Sequence, residues 1–172
     1  GNRVSEVSDV LPRMVSEGHE LGNHTMTHPM CHLTGLDEDG IRSQINDATE
    51  AIKAIAGQPS QVLRPVGGGV NDTVKAVAKE LGYPIINWSV DTEDWKYRDS
   101  ETVRKNIEAG VFDGAIILVH DIYKTSVDGA LAAIDDLMAE GYEFVTVRDL
   151  LLRRGVTPEA AVVYYSARNN GI

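Results

Sequence analysis

The chain has 172 residues, 42% of them hydrophobic and 24% charged, with a formal net charge of −10. That length supports one domain with a real core, expected over 1–172, while the acidic balance without a Lys/Arg cluster argues against nucleic acid or an anionic membrane surface as partner. No apolar run approaches the roughly 20 residues that span a bilayer, no signal peptide is visible before the first helical pattern, and Cys31, the only cysteine, allows no disulfide within the chain.

Taken in order, helix-period and strand-like segments alternate. Ser8 or Asp9 can cap a first helix with Pro12 in its first turn, Leu11, Met14 and Val15 on its apolar face, and Gly18 as its stop. Residues 20–22 form a short extended piece. Asp37 can cap a long helix whose stripe is Ile41, Ile45, Ala48, Ile52 and Ile55, ended by Gly57 and Pro59. A strand over 61–63 follows, then a helix capped by Asn71 or Asp72 and carrying Val74, Val77, Ala78 and Leu81. A strand over 84–90 precedes a helix that opens at Ser100. The run 115–119 is almost wholly apolar, of the kind buried on both faces. Ser126 opens a helix through Val127, Leu131, Ile134 and Met138, closed by Gly141. A strand over 143–147, a short helix over 148–153 and a β-like run over 161–165 complete the chain.

This alternation predicts an α/β protein with parallel strands. A helix with no strand before it opens the chain, so the first βα unit looks cut in half. About five strands are countable, whereas a closed (β/α)8 barrel takes eight at roughly 30 residues per unit.

Sites in parallel α/β folds sit at the carboxyl ends of strands. After 20–22 come Asn23-His24-Thr25-Met26-Thr27-His28-Pro29, and after 61–63 come Arg64-Pro65-Val66-Gly67-Gly68-Gly69. After 84–90 come Asp91-Thr92-Glu93-Asp94-Trp95, and after 115–119 come His120-Asp121. Each piece alone has a plainer reading. A His-x-x-x-His pair suits a metal ion, but two surface histidines share the spacing. Arg64 reads equally as a strand-end ion pair, Asp91 and Asp94 as turn or cap residues, His120 as a satisfied core histidine, and Trp95 as packing. The glycine triplet lacks the Lys-Ser/Thr of a phosphate loop. His19 and His32 read as surface residues without a clear partner, and Cys31 as a small buried side chain. No Gly-x-Ser-x-Gly supports a nucleophilic serine.

Together these motifs resemble the NodB-type polysaccharide deacetylases, carbohydrate esterase family four, over essentially the whole chain. His24-Thr25-Met26-Thr27-His28 is similar to the family's His-Ser/Thr-x-x-His metal motif, and Gly18-His19-Glu20-Leu21-Gly22-Asn23 to its lead-in. Arg64-Pro65-Val66-Gly67-Gly68 resembles Arg-Pro-Pro-Tyr-Gly, Asp91-Thr92-Glu93-Asp94-Trp95 resembles Asp-x-x-Asp-Trp, and Leu118-Val119-His120 resembles Leu-x-His. Two departures stand out. The family's Thr-Phe-Asp-Asp-Gly-Pro motif, which supplies the catalytic base and third metal ligand, is absent and would fall before Gly1. Gly67 stands where the family usually has Tyr, so a groove-lining ring is lost.

The resemblance implies a distorted or incomplete (β/α) barrel missing its first strand–helix units. It implies hydrolysis of acetyl groups on a polysaccharide, chiefly N-acetylglucosamine polymers such as peptidoglycan or chitin, with acetylxylan esterase action as the close variant. His24 and His28 would hold a divalent metal, zinc in the first place, with cobalt, nickel and manganese as alternatives. His120 would be the general acid, Asp94 its support, and Arg64 the holder of the missing base. The Gly67 N–H would face the oxyanion, Trp95 and Leu118 would wall the acetyl pocket, and Asp91 would meet substrate. The expected setting is extracellular or cell-wall associated. The absent motif leaves three expectations: a truncated chain inactive alone, a partner segment or second chain carrying the Asp-Asp pair, or a non-catalytic glycan-binding fragment.

Overall fold

The computed structural model describes residues 1–168. In chain order its helices are α1 (Val10–Ser16), α2 (Glu38–Ala56), α3 (Asp72–Glu80), α4 (Asp94–Tyr97), α5 (Ser100–Gly110), α6 (Lys124–Ala139) and α7 (Val147–Arg153). Its strands are β1 (Gly22–Asn23), β2 (Val62–Leu63), β3 (Ile85–Ile86), β4 (Val90–Asp91), β5 (Ile117–Leu118) and β6 (Val163–Tyr164). The described chain divides into two compact units, one of Gly1–Asn87 with Thr157–Tyr164, the other of Trp88–Val156 with residues 165–168.

The first unit holds a four-stranded sheet in the order β1-β2-β3-β6, every neighbouring pair parallel. Its core is Leu33, Ile41, Ile45, Leu63, Val74 and Ile85, all fully buried. The predicted α2 stripe is the buried one, from Ile41 through Ile52, with Ile55 half-buried. Burial of each such side chain contributes about 1.5–3 kcal/mol. Both helix starts follow from their caps: Asp37 accepts from the Gly40 N–H at 2.9 Å, and Asn71 from the Val74 N–H at 2.9 Å. At the other end of α2, Gly57 takes φ 76°, a left-handed conformation that glycine adopts without a steric penalty. Asp9 does precede α1, but its side chain makes no capping bond.

The second unit pairs β4 with β5 in parallel, Val90 against Ile117 and Asp91 against Leu118. Four expectations change here. The strand over 84–90 is two strands, β3 and β4, in different sheets. Between them the Asn87 N–H bonds to Tyr164 O, whereas those of Ser89 and Val90 both bond to Ile116 O, so the ladder partner changes at residues 87–89. The run 115–119 is not buried on both faces: Ile116 and Leu118 are buried, Ile117 and Val119 only half so, because its sheet has two strands. Residues 143–147 form no strand, since no described strand offers them a ladder. They border an apolar cleft of about 260 Å³ lined by Ile117, Val119, Ile134, Phe144 and Leu150.

The fourth change concerns α6. Its buried face is Ser126, Gly129, Ala133 and Leu137, while Val127, Leu131 and Met138 are exposed. Small residues face inward because α6 lies against α5. A Cβ on Gly129 would collide with the Ser100 carbonyl oxygen and lie 2.8 Å from Val103 Cβ. Gly129→Ala is therefore expected to cost about 1–3 kcal/mol, the usual penalty of overpacking, despite alanine's better helix propensity. Urea denaturation of the two proteins checks this.

Candidate functional site

The histidine loop is built from the end of β1. Asn23 is fully buried. Its amide Nδ2 donates to Ile45 O at 2.8 Å and Thr49 Oγ1 at 3.0 Å, and its Oδ1 accepts from the Thr25 N–H at 2.8 Å. The last bond spans two residues, a side-chain turn that carries Thr25 to φ 71°. Thr25 Oγ1 then accepts from the His28 N–H at 3.1 Å, with His28 at φ 53°.

The β1–β2 register pairs Asn23 with Leu63, so His24 and Arg64 follow side by side. The Arg64 N–H donates to Asn23 O at 2.9 Å. The His24 ring Nδ1 lies 2.5 Å from Arg64 O. A carbonyl oxygen only accepts, so Nδ1 carries the proton of this bond. Metal-binding histidines are oriented by such a bond from their other ring nitrogen. The His24 and His28 rings meet edge to face, centroids 5.2 Å apart. Two imidazoles at that separation suit one ion bound at about 2.0–2.1 Å from each nitrogen. Among the described residues no group of three His, Cys, Asp or Glu side chains completes such a site.

After β2, Gly67 and Gly68 turn the chain at φ 61° and 68°. Asn87, itself buried, donates from Nδ2 to Gly68 O at 3.0 Å and pins this turn. His32 is exposed and sits at φ 56°, ψ 175°, a region natural to glycine and costing other residues about 1–3 kcal/mol. Its neighbour Leu33 is fully buried. Cys31, expected inside, is exposed; Leu33 takes the core position, and Gly35 packs on the Cys31 Cβ.

In the second unit, the Asp91–Leu118 register places Asp94 and His120 just beyond the paired strands. Thr92 Oγ1 donates to Leu118 O at 2.8 Å, tying the two strand ends. Asp94 has no exposed surface, and His120 keeps 30% of its side chain open. The His120 backbone N–H donates to Asp94 Oδ2 at 2.7 Å, and ring Nδ1 lies 2.8 Å from Oδ1. Burial opposes the charge on Asp94. The bonds from the His120 ring and backbone outweigh it and hold the carboxyl below the usual carboxylate range. His120 is thus oriented through its backbone and Nδ1, with Nε2 outside the pair. Asp91 is exposed and accepts from Trp88 Nε1 at 3.2 Å and the Glu93 N–H at 2.9 Å. Trp95 is 52% exposed, whereas Leu118 is buried in β5.

The supporting residues Asn23, Thr25, Asn87 and Thr92 escape the sequence reading. Their signal was faint: polar side chains at strand ends, with nothing to say that they would be buried.

A family model described as polysaccharide deacetylase matches residues 1–86. The chain belongs to the polysaccharide deacetylase family. It is 41% identical to the peptidoglycan-N-acetylglucosamine deacetylase PgdA of Listeria monocytogenes over 87% of its own length and 31% of that protein's. It therefore spans about a third of the length of that curated relative. Among solved structures, a deacetylase, T48, captured with substrate superimposes with a TM-score of 0.88 at 34% identity, covering 95% of this chain and 79% of that one. A family 4 acetyl xylan esterase from Clostridium thermocellum, in complex with a cobalt ion, superimposes with a TM-score of 0.89 at 27% identity, covering 98% and 82%. The α/β fold with parallel strands is that of these deacetylases, and no closed barrel forms among the described residues.

Because the Asp94 carboxyl is held low, the folded protein binds its proton more weakly than the unfolded chain. Its stabilisation is present above the unfolded carboxylate range and is lost as pH falls through the folded value. Asp94→Asn should cost about 1–3 kcal/mol at neutral pH, with the gap to the parent closing in acid. Urea melts at both ends of that range measure it.

Proposed function

We propose that this chain is the part of a metal-dependent deacetylase that holds the metal's imidazoles and the proton donor. Its substrate would be an N-acetylated sugar polymer, peptidoglycan foremost, as the peptidoglycan deacetylases among its relatives support. The observation that carries the reading is the Asp94–His120 pair, a buried carboxylate holding a half-buried histidine through both its backbone N–H and its ring.

His24 and His28 would hold a divalent ion, zinc foremost with cobalt, nickel and manganese as substitutes, and the bound ion would polarise the acetyl carbonyl and its attacking water. The rest falls to side chains. Water adds to the acetyl carbon, the C–N bond breaks, acetate leaves, and the sugar amine takes up a proton. His120, held through Nδ1 by Asp94, would deliver that proton from Nε2. The Gly67 N–H would donate to the oxygen on which charge develops. Trp95 and Leu118 would border the acetyl methyl, and Asp91 would meet the sugar. The base that takes the water's proton, and the third metal ligand, would come from an Asp-Asp motif in an amino-terminal segment or a second chain, with Arg64 holding that base. Such a polymer places the reaction outside the cell or in its wall.

The likeness to an acetyl xylan esterase supports a second substrate, an O-acetyl ester, whose leaving oxygen also needs a proton. Substrate profiling separates the two.

The test joins the chain to a segment bearing the Asp-Asp motif, loads zinc, and follows acetate release from peptidoglycan fragments and chitooligosaccharide. Release is expected; none from any acetylated glycan, with metal demonstrably bound, sinks the reading in favour of a glycan-binding role. In the active protein, His120→Ala should lower kcat roughly 10²–10⁴-fold while zinc affinity stays within about twofold. His24→Ala and His28→Ala should instead weaken zinc binding by roughly tenfold or more, as calorimetry reads it.

A further inference from the structure

The His32 ring lies over the glycine turn. A Cβ built on Gly67 would be 2.6 Å from His32 Cε1 and 3.1 Å from each ring nitrogen. The imidazole therefore occupies the volume that a side chain at position 67 would need. The same ring borders Gly69, whose Cβ would lie 3.8 Å from Nδ1.

Nothing about this placement is relaxed. His32 reaches it from a backbone conformation that disfavours any side chain, φ 56° and ψ 175°. The segment is fastened on both sides: the His32 N–H bonds to Pro29 O at 2.9 Å, and Leu33 is fully buried. Thr34 beside it packs on Gly69 and accepts from Asn71 Nδ2 through its carbonyl. An anchored, strained, exposed ring needs a reason, since strain of this kind gathers at working sites. Joining the His24–His28 pair as a third ligand does not supply it, because no three-ligand group is found among the described residues.

We propose that His32 is a substrate-contacting residue, its imidazole forming the wall beside the Gly67 N–H against which the pyranose ring of an acetylated sugar packs. It supplies from position 32 the ring that the family carries at the position of Gly67. A flat, amphipathic ring meets the apolar face of a sugar and still offers a ring nitrogen to a hydroxyl. Because it touches the sugar and not the reacting atoms, its effect belongs in KM. The inference rests on the deacetylase reading for its substrate class.

The test uses the full-length, zinc-loaded protein and chitooligosaccharide. His32→Gly removes the ring and suits the backbone, so folding is retained. It should raise KM roughly three- to tenfold, with kcat and zinc affinity within about twofold. His32→Gly combined with Gly67→Tyr, which returns a ring from position 67, should bring KM back to within about threefold of the parent. Gly67→Tyr alone, meeting the His32 ring, should bind worse than the combination. An unchanged KM in His32→Gly, or a KM rise matched by lost zinc affinity, overturns the proposal. If the parent releases no acetate, the functional reading fails, and calorimetry with the same oligosaccharide decides this one. Weaker binding in His32→Gly supports it; equal binding, or none by the parent, overturns it.

Discussion

Asn23 is a fully buried amide, and a buried amide must find partners for its donors and acceptor or lose about 1–3 kcal/mol for each left bare. Its solution dictates the histidine loop. Two donors are spent on α2, at Ile45 O and Thr49 Oγ1, which fixes the end of β1 against that helix. The acceptor is spent on the Thr25 N–H, which bends the chain immediately after His24. Thr49 then passes the constraint on, meeting the Tyr83 hydroxyl at 2.7 Å, and Tyr83 meets Ser60 Oγ at 3.0 Å ahead of β2. β1, α2 and the approach to β2 are thus joined by one polar chain. The His24 ring can be oriented by Arg64 O because both strand ends are held in register by it.

The second unit solves an equivalent problem with a charge. Asp94 loses solvation on burial, and that loss is offset by bonds concentrated on one residue, His120, from both backbone and ring. The consequence is directional. An imidazole tied through Nδ1 has only its other nitrogen, Nε2, outside the pair. Thr92 and Asn106 secure the loop from which Asp94 projects, Asn106 Nδ2 donating to Thr92 O at 2.9 Å.

Much of this was legible in the residues because it is local. Asp37 and Asn71 cap within three positions of themselves, and the α2 stripe repeats at the helical period. The four strand-end motifs were legible as ordered patterns. What escaped depends on neighbours far along the chain. α6 was read by hydrophobicity, which placed Leu131 and Met138 inside; the approach of α5 selects Gly129 and Ala133 instead. The segment 84–90 was read as one strand, and its two ladders divide it. Residues 143–147 have strand composition but no described partner, and a strand is a pairing before it is a sequence. Asn23 and His32 were invisible as supports, because burial and a positive φ are properties of the folded loop.

The two chemical elements also differ in how much each contains. The Asp94–His120 pair is complete within its own unit: the carboxylate, the imidazole and the bonds that join them all lie there. The histidine pair is not. His24 has its orienting carbonyl, yet two imidazoles satisfy only part of the coordination that a catalytic zinc takes from protein, normally three ligands with one position open. On the proposed reading, metal affinity and proton delivery would therefore be separable properties of this chain. The first would rise with whatever carboxylate completes the set, while the second would rest on the Asp94–His120 pair alone. Activity would require both, and because residues that act as a unit are strongly non-additive, the proton donor would contribute little to turnover until the metal is held.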